Sequence, residues 1–485
     1  MVRHWVLLGA IAAFAIGLVA IFSSDDEPAA VATKATVTPA PTPTVVPDQR
    51  FRSRPDLTPA TLQVSGRASD YVFLAPKHTP GQNGPMILDP DGRLVWFHPL
   101  PKGFTADDFS VQTYRGKPVL TWWEGHFKPQ GYGEGEWVIA DDRYKEITRV
   151  RAGHGLKGDL HEIQLTDRGT ALVSIYHKVK RDLTELGSVK DADVLDSVIQ
   201  EIDIKTGKVL WEWSALDHVG MGETYTNIPK QAGVVSDYFH INSIDELADG
   251  NLLVSARNTW ALYEIDKKTG EILWRMGGRR SDFAMGEGTR FAWQHDAREH
   301  DDGTITLFDN ESMPKIGDAT RLLTLNVDQQ QRTVSLQRAL THPRHILSGA
   351  EGNAQLLDDG GMFSGWGLGR TVTEQSPDGA LRFEARLPAN ADTYRGYTHA
   401  WSPHPTEPPV AVAERVGSQV TAYASWNGAD VERWELLAGP SPASLKPIGS
   451  ARRTGFETKL EGETEEPYIA VRAAGGQTSA AVELH

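Results

Sequence analysis

Two phrases of apolar and polar positions alternate along most of the chain. One is an apolar run, an Asp-Gly or related turn, and a second apolar run: HEIQLTDRGTALVSIY from His161, NSIDELADGNLLVSARN from Asn242 and HDAREHDDGTITLFDN from His295. FSVQTYRGKPVLTWW from Phe109 and NAQLLDDGGMFSGWG from Asn353 are weaker copies. The other phrase is apolar, Asp, Thr-Gly, apolar, Trp, as in IQEIDIKTGKVLWEW from Ile199 and LYEIDKKTGEILWRM from Leu262; shorter forms start at Ile87 and Thr373, and a degraded one at Leu322. β-Branched and aromatic runs broken by such turns predict hairpins. Two hairpins make a four-stranded antiparallel unit. The aspartate of the second phrase recurs at Asp89, Asp141, Asp203, Asp266, Asp328 and Asp378, with separations of 52, 62, 63, 62 and 50 residues. That period predicts an all-β fold, a six-bladed β-propeller over residues 61–405.

The pattern changes at both ends. Arg3 and His4 precede Trp5–Phe22, eighteen residues without a charge, and Asp25, Asp26 and Glu27 follow. As a helix that run is ~27 Å long, close to the hydrocarbon thickness of a bilayer. Phe22 stands where signal cleavage wants a small residue, so residues 1–23 read as an uncleaved signal anchor (transmembrane helix), with a cleaved signal peptide as the alternative. Either way the body is exported: extracytoplasmic and tethered to the cell membrane, or secreted after cleavage. Residues 24–60, rich in Pro, Thr and Ala, read as an extended linker. After residue 405 the period stops. PVAVAERVGSQVTAYASWNG, ERWELLAG and EPYIAVRAAG predict a small sandwich over 406–485 that resembles a fibronectin type III module, with Trp434 and Tyr468 as core aromatics and a protein or glycan as its expected partner.

Composition narrows the chemistry. The 49 basic and 64 acidic residues leave a net charge of −15, the wrong field for collecting nucleic acid. With no Cys, disulfides, thiolate nucleophiles and thiolate-ligated metals are excluded. No GxxxxGK[ST] loop is present to cradle a nucleotide.

The first strand of a propeller blade lines the central channel, so residues at equal distance from the first turn form a ring. His161 lies 8 residues before Gly169, His295 lies 8 before Gly303, and His240 lies 10 before Gly250. Arg257 ends the second strand of the His240 blade and is aimed at the same opening. Taken singly, each histidine is more often a hydrogen-bonded core residue. Three at matching levels with an arginine point to a cluster for an anion or for catalysis. Three imidazoles suit a metal, but the neighbouring guanidinium favours a tetrahedral oxyanion instead, so no metal is expected. Imidazole nitrogen is also a competent nucleophile toward phosphoryl and sulfuryl groups. Asn242, two residues after His240, is expected on the same strand face. Trp260 and the WWEGH stretch at Trp122–His126 are candidate walls for an aromatic substrate, with core packing as their ordinary role. Arg275, Arg279, Arg280 and Arg290 are candidates for a basic rim, or an ordinary solvated loop.

DYFHINSIDELADGNLLVSARN, KTGEILWRMGG, FAWQHDAR and TLFDN, in this order, resemble the arylsulfate sulfotransferases. DLHEIQL, EGNAQLLDDGGMFSGWG and RFEARLPANADTYRGYTHAW add to the resemblance, in particular to its actinobacterial and fungal branch. The resemblance covers roughly residues 65–405. It implies a nucleotide-independent enzyme that moves a sulfuryl group from a phenolic sulfate to a phenol through a sulfated histidine, with no cofactor. By position, His295 would be the nucleophile, and His161, His240 and Arg257 would hold the sulfuryl oxygens and exchange the proton. A small aromatic sulfate donor and a phenolic acceptor are then the expected partners. Two other classes compete: a non-catalytic tethered scaffold, and a quinoprotein-like oxidoreductase suggested by the TGxxxW phrases.

Overall fold

The computed structural model describes residues 50–484, together with the backbone of the two-residue strand Thr44–Val45. The anchor expected over 1–23, and the linker as far as residue 49, lie outside the described residues, among which no helix is long and apolar enough to cross a membrane. The linker boundary needs correcting. Residues 50–60 are packed, with Phe51, Leu57 and Ala60 buried in a cluster that includes Phe383 and Phe456. Ser53 Oγ also donates to Glu457 (2.5 Å). A few apolar side chains tie down a stretch whose average composition reads as stalk.

The described residues are nearly all β, in mostly antiparallel sheets, with only short helical turns among them such as Ala215–His218. Strands Ile241–Glu246, Leu252–Ala256, Ala261–Ile265 and Ile272–Gly277 form one sheet in chain order. His295–Glu299, Thr304–Asp309, Arg321–Asp328 and Thr333–Thr341 repeat the arrangement. Two further runs, Thr105–Tyr114 to Glu146–Val150 and Gly158–Leu165 to Val209–Ser214, are joined where Gly158 faces Gly135. Gln355–Leu356 to Leu381–Arg386 make another, with Gln63–Gly66 added outside. Finally, Gly396–His399 returns to pair with Tyr71–Leu74, so the start and the finish of the repeat share one sheet. This architecture is propeller-like.

Local chemistry explains the repeat. The carboxylates of Asp89, Asp141, Asp203, Asp266 and Asp328 each accept backbone N–H groups two to four residues on, closing the turn between the third and fourth strands. In the last copy the register differs from the sequence reading: Ser376, not Asp378, occupies the turn-closing position, and its Oγ accepts from Ala380 N (3.1 Å). Gly169, Gly250 and Gly303 have φ of 75°, 87° and 77°, the left-handed region that the first hairpin turn requires.

Four of the first strands break register near their starts, between Asp107 and Ser110, Gly158 and Ile163, Ile241 and Ser243, and His295 and Arg298. Such bulges re-aim side chains. Here they direct polar groups across to the next first strand. Asp108 accepts from Ile163 N (3.4 Å), Glu162 from Ile244 N (3.4 Å) and Ser243 from Ala297 N (3.0 Å). Asp296 accepts from Ala354 N and Asn353 from Gly396 N, both at 3.0 Å. Arg395 then donates to Asp108 (2.8 Å), returning the circuit to its first member. Between neighbouring sheets lie apolar layers; Leu172, Ile199 and Trp213 pack with Ile241, Leu252 and Tyr263, each large side chain worth ~2 kcal/mol of burial.

Residues 410–484 form two further antiparallel sheets around a shared core of Trp434, Leu436, Leu460, Ile469 and Val471. Trp434 is the core aromatic expected of it. Tyr468 is not: it starts its strand opposite Gly439 and stays partly exposed.

Candidate active site

The bulges and the turns beside them bring three histidines together from distant stretches of chain. His161 lies in strand Gly158–Leu165, and His295 opens strand His295–Glu299. His240 precedes strand Ile241–Glu246, with φ of 60°. Arg257 follows strand Leu252–Ala256 and donates its N–H to the His240 carbonyl (2.9 Å), while Asn258 N donates to Phe239 O (3.0 Å). These bonds carry the hairpin past its strands and set Arg257 opposite His240.

The rings of His161 and His240 stand 4.9 Å apart, edge to face. Tyr176 touches both, at 5.3 and 5.4 Å, and Tyr394 lies between His161 (5.3 Å) and His295 (6.4 Å). The tyrosine hydroxyls donate to the backbone of the His240 strand, Tyr176 to Ile241 O (2.7 Å) and Tyr394 to Asn242 O (3.2 Å). Burial pushes both phenols well above their ordinary value, so they remain neutral donors. His295 and His161 are 1% and 2% exposed, His240 is 7% exposed, and Arg257 is half-buried at the outer edge.

Each imidazole is held through Nδ1. His161 Nδ1 meets Asp159 at 2.5 Å, His240 Nδ1 meets Asp237, and His295 Nδ1 meets Asn310 Oδ1 at 2.7 Å. Asn310 is itself oriented, because its Nδ2 donates to Ser348 O and Glu351 O. Oδ1 therefore faces the ring, Nδ1 carries the proton, and the lone pair of His295 lies on Nε2, which receives only a long bond from Glu351 N (3.3 Å). Burial, and then the Arg257 charge, push His295 well below the ordinary imidazole value. Burial, followed by the His240 charge, does the same to His161, and burial pushes Asp159 up to about 7. The His161–Asp159 pair thus holds one proton near neutrality. Arg257 forms no ion pair among the described residues; its guanidinium lies 4.8 Å over the Trp293 ring and donates to Asn258 Oδ1 (2.9 Å).

Asn242 lies 8 residues before Gly250, the level of His161 and His295, whereas His240 is two residues higher. The bulge at Asn242 breaks the alternation that was expected to align it with His240. Its Nδ2 donates to Gln294 O (2.7 Å), and its buried Oδ1 has no partner among the described residues. Trp260 stands further out, stacked on Tyr225 (3.7 Å) and edge-on to Trp293 (5.1 Å), so it joins the cluster through Trp293 and Arg257. Trp122 and Trp123 are core residues. Of the expected basic rim, Arg275 and Arg280 face Glu223 (3.4 and 3.7 Å), and Arg279 covers the Tyr225 ring (4.3 Å).

Two buried ion clusters flank the histidines and were not foreseen. Lys77 contacts Asp107 (2.5 Å), Glu351 (2.8 Å) and Asp392 (3.5 Å). Burial alone would drive its proton off, but the three carboxylates outweigh it and hold Lys77 well above its ordinary value. On the other side Arg395 lies among Asp108 (2.8 Å), Glu162 (3.3 Å) and Asp296 (3.7 Å), and Arg298 also pairs with Glu162 and Asp296. The usable signal was positional: Tyr394-Arg395 stands before the last first strand, as His161-Glu162 and His295-Asp296 stand in theirs.

No curated protein matches the chain. Among solved structures it is similar to a protein of unknown function from Bacteroides caccae (15% identity, TM-score 0.40, 66% of this chain and 93% of that one). It is also similar to a catalytically inactive virginiamycin B lyase from Staphylococcus aureus with quinupristin (9% identity, TM-score 0.33, 84% and 100% covered). The family model described as arylsulfotransferase (ASST) matches residues 110–387, more than half of the chain and the run that carries all three histidines and Arg257. The chain therefore belongs to the arylsulfotransferase family, whose family-level activity is sulfotransfer.

Proposed function

We propose that this protein moves a sulfuryl group from a phenolic sulfate ester to a phenolic acceptor, without a nucleotide, through a covalent intermediate on His295. We also propose that its sheets are six blades over 61–405, carrying a fibronectin type III-like module over 406–485. Residues 1–23 are proposed as the anchor that leaves the body extracytoplasmic. The observation that carries the reaction is the His295 tautomer: Nδ1–H is committed to Asn310, burial keeps the ring neutral, and the lone pair is on Nε2.

In the first step Nε2 attacks sulfur, the S–N bond forms, the S–O bond to the donor breaks, and phenolate leaves. The N-sulfonated ring bears positive charge, which Asn310 Oδ1 and Trp293 O, at 2.7 and 3.1 Å from Nδ1, stabilise by accepting its proton in a hydrogen bond. The His161–Asp159 pair gives its proton to the leaving oxygen. In the second step that pair takes the acceptor's proton, the acceptor oxygen attacks sulfur, and the S–N bond breaks, restoring His295. Arg257, free of carboxylate partners among the described residues, faces the three sulfuryl oxygens with a planar fork of donors. Asn242 assists through its unpartnered amide oxygen as hydrogen-bond acceptor, and Trp260 contributes an aromatic wall at the rim.

Arg257→Ala is expected to lower kcat/KM for 4-nitrophenyl sulfate by about 10²–10³, the usual cost of losing one transition-state donor. Arg257→Lys keeps charge but not the fork, and should lose roughly tenfold. Equal loss in both variants would mean the charge plays no part. The pH profile follows from the proton held by His161 and Asp159. With phenyl sulfate, whose leaving group needs a proton, the single-turnover rate of sulfuryl transfer to His295 should fall about tenfold per pH unit above about 7, the value to which burial raises Asp159. Through pH 6.5 toward acid it should stay flat, because His295 remains unprotonated well below the ordinary imidazole value. Asp159→Asn should displace the alkaline limb; an unmoved limb assigns it to another group. Nitrophenol release that needs an added phenol separates this reading from a non-catalytic scaffold.

A further inference from the structure

We propose that a cavity on the face that carries the histidines binds an oligo-anion bearing sulfate or phosphate groups. The cavity measures about 860 Å³ and is lined by Arg50, Arg344, Arg370 and Arg386, from four separate stretches of chain. Arg344 pairs with Glu384, but among the described residues the other three arginines form no ion pair. In a chain with 64 acidic and 49 basic residues, such like charge around one hollow is unexpected from composition, and its mutual repulsion is relieved by an anion. Guanidinium forks match the oxygens of sulfate and phosphate esters in pairs. A single inorganic anion would leave most of the volume open, whereas several linked groups would fill it.

Arg370 sits at the end of the turn Gly367–Gly369, with φ of 59°, where a glycine would be relaxed. That turn joins the second and third strands of its sheet, as Arg257–Thr259 does in the His240 sheet, so both lie at the same end of their sheets. The two places are one segment apart. Gly349 O accepts from Arg257 Nη2 (3.4 Å), Glu351 N donates to His295, and Ala350 O accepts from Leu368 N (3.4 Å). The arginine cavity lies on the far side of that segment from the imidazoles.

The test is fluorescence anisotropy of a labelled heparin hexasaccharide on the full chain at low salt, with short-chain polyphosphate as competitor. Saturable binding that weakens with added salt is expected. Arg370→Gly removes a charge and relaxes the backbone, and Arg386→Gln removes a second; together they should weaken binding roughly 10-fold. Arg386→Gln alone gives a partial loss, and Arg115→Gln, on a distant exposed hairpin, none. Tighter binding of the hexasaccharide assigns a sulfated polymer, and tighter binding of polyphosphate a phosphate polymer. Failure of both to bind, or equal binding by wild type and the double variant at matched melting temperature, overturns the proposal. Binding is read without turnover, so this site stands or falls separately from the histidine reaction.

Discussion

His295→Ala should eliminate covalent labelling and reduce kcat by on the order of 10⁴ or more, as removal of a nucleophile does elsewhere. Intact-mass spectrometry after incubation with 4-nitrophenyl sulfate and no acceptor should show one added sulfuryl group on the wild type and none on the variant. The prediction is specific among the three imidazoles because their partners differ. His161 and His240 are each bonded to a carboxylate, whereas His295 is bonded to an oriented amide oxygen, which leaves the Nε2 lone pair free on a ring that burial keeps neutral. His161→Ala and His240→Ala should therefore still label, more slowly, by the 10²–10⁴ typical of lost proton transfer. Undiminished labelling of His295→Ala would move the nucleophile to one of the other two rings.

Arg395→Met should be the most damaging single change to stability. Arg395 is wholly buried and donates to Asp108, Glu162 and the Asn242 carbonyl (2.7 Å), with Asp296 at 3.7 Å. Methionine fills similar space but leaves three buried carboxylates facing Arg298 alone. Breaking a buried ion network by removing one partner costs about 3–5 kcal/mol, so the melting temperature of a chain this long should drop by roughly 3–6 °C. Adding Glu162→Gln should return part of the loss, because one of the stranded charges goes with it. A variant that melts with the wild type would show that the circuit of first strands closes without this arginine. The effect should also reach the site, since Arg395 and Tyr394 both hold the Asn242 carbonyl.

Much of the fold was legible because its repeat is local. An aspartate that closes a turn by accepting nearby N–H groups leaves a mark at fixed spacing, as do the glycines forced to positive φ at the first turn. The last copy misled because Ser376 fills the role with a hydroxyl, and a nearby Asp378-Gly379 imitates the aspartate phrase. The linker boundary misled because composition averages over Phe51 and Leu57, whose burial depends on partners hundreds of residues away. Among the site residues, His161 and His295 were readable from equal offsets and Arg257 from its place after the second strand. The face of Asn242 was not, because one extra residue in a strand reverses every alternation beyond it.

From its order of residues alone this chain specifies four-stranded units, their turns and the level at which polar residues enter the first strands. These depend on contacts a few residues long. Tertiary structure decided which nitrogen of His295 is free, why Lys77 and Arg395 stay charged though buried, and that Tyr394, near the end of the repeat, stands between His161 and His295. Those outcomes depend on burial and on partners from other sheets. Electrostatic energies at such places follow solvent exclusion and ångström-scale distances, which only the assembled sheets define.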